Sequence, residues 1–190
     1  MNIVELVKKN RSYRRFDESS RISDGDLISL VDLARHSASG TNRQPLKYLL
    51  FNGVEDCKRI FPYTRWAGYL KDWDGPDEGE RPSAYIIILG DKSVSDNYFV
   101  DHGIAAQSIL LGATGKGYGG CMIASIDRKG LVNEIGLPAH FEILLIVALG
   151  MPVEKVVIED IRDNDFKYWR DQDNVHHVPK RTLEELIIKL

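Results

Sequence analysis

Asn10-Arg11-Ser12-Tyr13-Arg14-Arg15-Phe16, answered further along by Ser37-Ala38-Ser39-Gly40-Thr41-Asn42-Arg43-Gln44-Pro45, is the part of the sequence on which the reading of this chain turns. Three guanidiniums and a serine hydroxyl lie within residues 11–15, and the second segment supplies small residues, an amide pair and a proline where a helix must stop. Arginine presents a planar fork of donors suited to phosphate, while Asn and Gln side chains offer paired donors and acceptors for the edge of a flat ring. Together the two segments describe a clamp for an anion and a heterocycle. Taken singly, each has a plainer reading. An Arg-rich stretch after a short helix is a solvated face with surface ion pairs, and Asn42 and Gln44 are turn residues.

The chain has 190 residues, enough for one domain with a real core. Apolar residues make up 43% and charged residues 28%, which places it among ordinary globular proteins. A net charge of only −3 and a pI near 6.0 argue against a sequence-independent grip on nucleic acid or on an anionic membrane. No stretch combines a basic flank, an apolar core and a cleavage site, and no apolar run approaches the roughly 20 residues that span a bilayer, so the expected location is cytoplasmic. Cys57 and Cys121 are far apart and belong to no Cys-x-x-Cys pair, so neither a redox dithiol nor a zinc ribbon is expected. Cys121, beside glycines and an apolar strand, reads as a packing residue.

The pattern predicts a short helix over 3–9 and a second one capped by Ser23, with Leu27, Leu30, Val31 and Ala34 at helical spacing. Residues 47–52 read as a buried strand, 55–70 as helical pieces broken at Pro62, and 71–82 as an irregular loop anchored by Trp73. Residues 84–90 form a central strand. A long helix over 97–114 is apolar nearly all round, so a single sheet is not expected to bury it and a second subunit is. Strands follow over 120–125 and 143–149, separated by a helix over 128–136 that Gly136 and Pro138 stop. Helices interleaved with strands give a three-layer α+β or mixed α/β domain.

Several motifs tempt and fail. Gly115, Gly117 and Gly120 satisfy Gly-x-Gly-x-x-Gly, but a helix leads into them and a strand follows, the reverse of a dinucleotide fingerprint. Gly115-Lys116 lacks the Ser or Thr of a P-loop. Asp72, Asp74 and Asp77 are spaced as in a calcium loop, yet Pro76 intrudes and Ser83 stands where the closing Glu belongs. His176 and His177 are adjacent, so on a strand they face opposite ways, and no further Cys or His lies near them in sequence to complete a metal site. Asp101-His102 reads as a hydrogen-bonded core or interface pair before it reads as a substrate contact.

Taken in order, Arg11, Ser12, Arg14 and Phe16, then Ser39, Asn42, Gln44 and Pro45, then Gly117-Tyr118-Gly119-Gly120-Cys121-Met122-Ile123, resemble the three motifs of the FMN-dependent nitroreductases over most of the chain. The resemblance implies a nitroreductase-like α+β fold over residues 1–190, with a mostly antiparallel central sheet flanked by helices and an intertwined homodimer. It implies FMN as cofactor and NADH or NADPH as electron donor. Arg11 and Ser12 would bind the ribityl phosphate and Arg14 the N1 and O2 edge of the ring. Ser39, Asn42 and Gln44 would reach the flavin of the other subunit, Ala124 and Ser125 would present backbone N–H groups to N5 and O4, and Lys180 and Arg181 would close on the phosphate. Trp66, Tyr69, Trp73 and Arg81 are the local candidates for roofing the flavin. Departures from the family pattern are Asn10, where many relatives have Arg, and Ala124-Ser125 in place of Gly or Glu-Gly. The implied reaction is ping-pong transfer of electrons to a nitroaromatic or quinone. Open alternatives are a flavin carrier without turnover, a non-flavin nucleotide-binding regulator, and relatives' other chemistries, flavin cleavage and reductive dehalogenation.

Overall fold

A computed structural model describes residues 1–189. The chain begins with α1 (Ile3–Lys9), capped by Asn2 and Glu5 in a reciprocal capping box, and a short strand β1 (Phe16–Asp17). Ser23 caps α2 (Asp24–Arg35) by accepting from the Asp26 N–H, and Asp24 and Asp26 place negative charge at the helix N-terminus. Strand β2 (Leu46–Phe51), helix α3 (Val54–Ile60) and strand β3 (Ala84–Asp91) follow. Then come α4 (Asp101–Gly115), β4 (Gly119–Ile123), α5 (Arg128–Ile135) and the twelve-residue β5 (Phe141–Pro152). The chain closes with β6 (Val156–Asp160), β7 (Trp169–Arg170), β8 (His176–Lys180) and α6 (Leu183–Leu186).

Strand β5 organises the main sheet. It pairs antiparallel with β3 on one side and with β4, then β1, on the other, while β2 extends the sheet beyond β3. All eight residues of β3 are buried, because helices cover both faces. Ala84, Ile86 and Ile88 face the layer of α2 and α4; Tyr85, Ile87 and Leu89 face the layer of α3 and α5. The register slips between Ile88 and Leu89, so that Ile88 faces Leu145 but Leu89 faces Ile143. This bulge explains why Ile143 packs on one face and Leu145 on the other although they are two residues apart. The architecture is therefore the three-layer α+β arrangement expected.

On one side of helix α4 the chain itself buries Ala105, Ala106, Ile109, Leu110 and Ala113 against the sheet and α2. Gly112 permits the close approach: a Cβ there would stand 2.3 Å from Leu33 Cδ1. What remains open is the face with Gly103, Ile104 and Gln107, beside a half-buried Leu111, the side on which a second subunit was expected. The helix also starts at Asp101 rather than 97, because Asn97 Oδ1 accepts from the Phe99 N–H and Phe99 turns into the left-handed region at φ 46°. Beyond Tyr63 the helical pieces expected to 70 give way to an extended Thr64 that bridges to Ile126.

The small sheet of β6, β8 and β7 was not anticipated. Its strands are two to five residues long and interrupted by charge and by Pro179, so the sequence offers little periodicity to read. No helix among the described residues is long and apolar enough to cross a membrane.

Glycine at 120 is forced by packing, since a Cβ there would lie 2.3 Å from the Ala148 carbonyl oxygen of the paired strand. Gly120→Ala is expected to cost about 2–3 kcal/mol. Gly115→Ala, with only Leu6 Cδ1 at 3.9 Å, is expected to be neutral or stabilising by a few tenths of a kcal/mol. Urea denaturation of the two variants measures the contrast.

Candidate active site

The segment after α1 lies across the β4 end of the sheet. Ser12 forms a parallel bridge to Gly120, and the Tyr13 N–H donates to the Gly120 carbonyl at 3.0 Å. The next two residues are held from the C-terminal side. The carboxylate of Glu154, whose side chain is fully buried, accepts from the backbone N–H groups of Arg14 and Arg15 and from Arg170 Nη2 at 3.0 Å. The Arg15 side chain turns the other way and makes a bidentate pair with Glu80 at 2.5 Å on both nitrogens. Arg15 is thus spent on structure, while Arg11 and Arg14 turn to a cavity.

That cavity, about 420 Å³, is lined by Arg11, Ser12, Arg14 and Lys180 together with the apolar side chains of Leu110 and Val178. Among the described residues its lining contains three strong cations and no carboxylate. Arg11 Nη2 donates to the Val7 carbonyl at 2.7 Å, while its buried Nε has no partner. Arg14 Nη1 donates to the Ser12 carbonyl at 3.1 Å and lies 3.1 Å from His176 Nε2, and its guanidinium carbon sits 4.9 Å from the centre of the Tyr168 ring. Arg14 Nε and Nη2 make no hydrogen bond among the described residues. Orphaned guanidinium donors beside apolar walls fit an anionic group joined to a flat, largely apolar one, and the volume falls in the usual range for small-ligand sites.

A second cavity of about 220 Å³ shares Arg14, Met122 and Tyr168 with the first and adds Ala124, Ser125 and Trp66. Trp66 is a pillar here rather than a lid. It is 7% exposed, donates from Nε1 to Thr64 Oγ1 at 3.0 Å and stacks near Phe61. Trp73 lies beneath the Arg170 guanidinium at 4.2 Å, and Arg81 lies over the Phe61 ring at 4.4 Å. Arg81 lines neither cavity. Tyr69, 46% exposed, meets Tyr168 and Phe166 edge to face at 5.0 and 6.0 Å.

Ser39 and Gln44 line a third cavity, about 230 Å³, which shares no residue with the other two. Thr41, Asn42 and Gln44 all have φ between 50° and 54°, a left-handed conformation that non-glycine residues adopt at a cost of about 1–3 kcal/mol each. Asp101 holds this loop by accepting from Ser39 Oγ at 2.7 Å and the Gly40 N–H at 2.9 Å, so its partner is the loop and not His102. Asn42 contacts Gln44 but is outside the cavity lining. Arg181 pairs with Glu185 at 3.0 Å and with Asn164 at 2.7 Å, outside the lining to which Lys180 belongs.

Glu154, Tyr168 and His176 were missed as site residues. One signal existed. Strand alternation counted back from Lys180 puts Val178 and His176 on the same face, and all three line the first cavity. His177 faces away, stacked on Trp169 at 4.1 Å between Glu159 and Asp171. Burial, then the Arg14 and Arg170 guanidiniums, pull His176 from 6.5 down to about 4. Burial pushes the Cys121 thiol up to about 12, which keeps it an inert packing group. No cluster of metal-ligating side chains occurs among the described residues.

Two outcomes follow for stability. Glu154→Ala leaves Arg170 buried without its counter-charge and should cost about 3–5 kcal/mol by chemical denaturation, with Glu154→Gln intermediate. His176 in the folded chain binds its proton only near pH 4, well below the unfolded value of 6.5. Its contribution is therefore complete above pH 6.5 and is lost as pH falls towards 4, by up to about 3 kcal/mol. Denaturant midpoints measured across that range should fall more steeply for the parent than for His176→Gln.

The sequence model of the Nitroreductase family matches residues 7–74 and 80–151. Among curated proteins the chain is similar to one from Bacillus subtilis provisionally named NAD(P)H nitroreductase YodC, at 19% identity over 80% of this chain and 91% of the other. It is also similar to the iodotyrosine deiodinase of Thermotoga neapolitana, at 24% identity over 79% of this chain and 88% of the other. Among solved structures, that of an Exiguobacterium sibiricum protein in complex with FMN superposes with a TM-score of 0.69 at 18% identity, covering 90% of this chain and 98% of the other.

Proposed function

Since the chain belongs to the nitroreductase family, we propose that it is a single-domain, FMN-dependent oxidoreductase that takes hydride from NADH or NADPH and passes electrons to a flat acceptor such as a nitroaromatic or quinone. The observation that supports this most is the first cavity: Arg11, Arg14 and Lys180 without a carboxylate, joined through Arg14, Met122 and Tyr168 to a second space. FMN, when bound, supplies the hydride-accepting ring and stores two electrons, so no protein nucleophile is needed.

The protein's own residues do the placing. Arg11, Ser12 and Lys180 hold the phosphate, with Arg181 withdrawn onto Glu185 and Asn164. Arg14 sets a fixed positive charge where the ring gains negative charge, and it costs no reorganisation because its guanidinium is already held. The apolar walls exclude water. The exposed edge formed by Tyr69, Phe166 and Tyr168 offers rings on which a flat acceptor stacks. The relatives named for NAD(P)H and FMN support the choice of donor and cofactor.

The working unit in this reading is a homodimer in the cytoplasm. Ser39, Asn42 and Gln44 stand on a loop whose cavity is separate from the cationic one, which is the arrangement needed if they serve the flavin of a partner. Ile3, Val4 and Ile104 are exposed apolar side chains available to the contact.

The purified protein is expected to be yellow, with FMN released on denaturation. A charge-assisted contact to phosphate contributes roughly 1.5–3 kcal/mol, so Arg11→Ala should weaken FMN binding about ten- to a hundredfold, read by flavin fluorescence titration. A colourless protein that takes up no FMN refutes the reading, and unchanged affinity in the variant removes Arg11 from the site. Steady-state NADH or NADPH oxidation with menadione separates turnover from mere storage.

A further inference from the structure

Arginine has five N–H donors, no acceptor, and stays protonated in proteins. The 3.1 Å contact between Arg14 Nη1 and His176 Nε2 therefore has one polarity: the guanidinium donates and Nε2 accepts. A doubly protonated imidazolium has no lone pair to offer and would set like charges side by side. His176 is accordingly neutral with its proton on Nδ1, and that buried Nδ1 has no partner. The groups facing the ring agree with this. Arg14 comes from the segment after α1, Arg170 from β7 opposite it in the ladder, His177 is its neighbour in β8, and the Tyr168 ring centre is 5.2 Å away. The Glu154 carboxylate, which pairs with Arg170, is engaged by that guanidinium and by the backbone of Arg14 and Arg15.

We propose that His176 is a positioning residue for Arg14, accepting through Nε2 and holding the guanidinium so that Nε and Nη2 stay free for the ligand of the cationic cavity. The ring is a rigid post. Its backbone N–H donates to the Lys155 carbonyl at 2.8 Å, and β8 is paired on both sides, with Val156 and with Arg170. Arg14 is then fixed at three points: the Ser12 carbonyl, His176 Nε2 and the Tyr168 face. A long side chain immobilised before binding loses little further freedom when the ligand arrives, which raises affinity without a new contact. The burial that keeps the imidazole from titrating until about pH 4 makes the anchor constant through the neutral range.

The inference rests on the FMN reading only for its effect on affinity, so two measurements on the full chain keep the two apart. Long-range proton–nitrogen NMR of the labelled, FMN-free protein should show His176 Nε2 unprotonated and Nδ1 protonated, unchanged from about pH 8 to about pH 5. An Nε2–H tautomer, or titration near the ordinary histidine value, overturns the proposal. FMN affinity forms a double-mutant cycle. His176→Phe should weaken binding roughly tenfold, His176→Gln should recover most of it because its amide oxygen still accepts from Arg14, and His176→Phe in an Arg14→Ala background should add less than about twofold. Equal losses in both backgrounds mean that His176 does not act through Arg14, and the proposal falls. Should the Phe variant fail to fold, the Gln variant and the parent's tautomer decide. Should the parent bind no FMN, the functional reading fails and the tautomer alone upholds or overturns the Arg14 anchor.

Discussion

The buried carboxylate of Glu154 is the interaction on which the site depends. One side chain, standing between β5 and β6, accepts from two consecutive backbone N–H groups, those of Arg14 and Arg15, and from the guanidinium of Arg170. An unpaired charge in such a place costs several kcal/mol, so the donors must converge on it wherever the chain would otherwise let them go. Their convergence brings the N-terminal basic segment, the loop carrying Glu80 and the C-terminal small sheet together around one point. From that point Arg15 turns to Glu80 and Arg14 to the cavity. Arg170 in turn covers Trp73, so the loop over 71–82 is tied to the same network.

The sheet supplies the platform for this arrangement. Gly120 lets β4 sit against β5 closely enough for the Ser12 bridge, and the bulge opposite Leu89 keeps apolar residues of β5 in register with both helical layers. On a separate cavity, Asp101 holds the strained loop over 39–44, whose left-handed Thr41, Asn42 and Gln44 would relax without it. Two segments are thus each secured by a single buried carboxylate, and the 39–44 loop is held in a strained geometry. Glu154 belongs to no motif visible along the chain, and Asp101 stood out only beside His102, which is not its partner.

Much of the scaffold was legible because its signals are local. Ser23 as a cap, Gly136 as a left-handed stop and the continuous apolar run over 84–90 act over a few residues, and each element formed where its signal lay. Arg11, Ser12 and Arg14 stood out by charge and spacing, Lys180 only by the family resemblance, and the fold brings all four to the lining of one cavity. The packing of the aromatic candidates was not legible. Trp66 and Trp73 looked alike from their place among turn residues, yet Trp66 packs in the core at the wall of the second cavity and Trp73 lies under a guanidinium. A flat apolar side chain goes where the most surface can be buried, and composition does not say where that is. The covering of α4 by its own chain has the same origin, since whether α2 can approach depends on Gly112 meeting Leu30 and Leu33 across the interface.

By itself the sequence determined the layered α+β class, the order of the main elements, and the basic segment from which Arg11, Ser12 and Arg14 come to line one cavity. These depend on short-range capping, periodicity and charge, which adjacent residues settle among themselves. Only the tertiary structure decided that Arg15 is spent on Glu80 while Arg14 faces the cavity, that Arg181 is withdrawn while Lys180 faces the cavity, and that His176 stands against Arg14. Those outcomes join residues up to 162 positions apart. They are set by which buried donor finds which acceptor once the layers close, and a residue's neighbours in sequence carry no record of that choice.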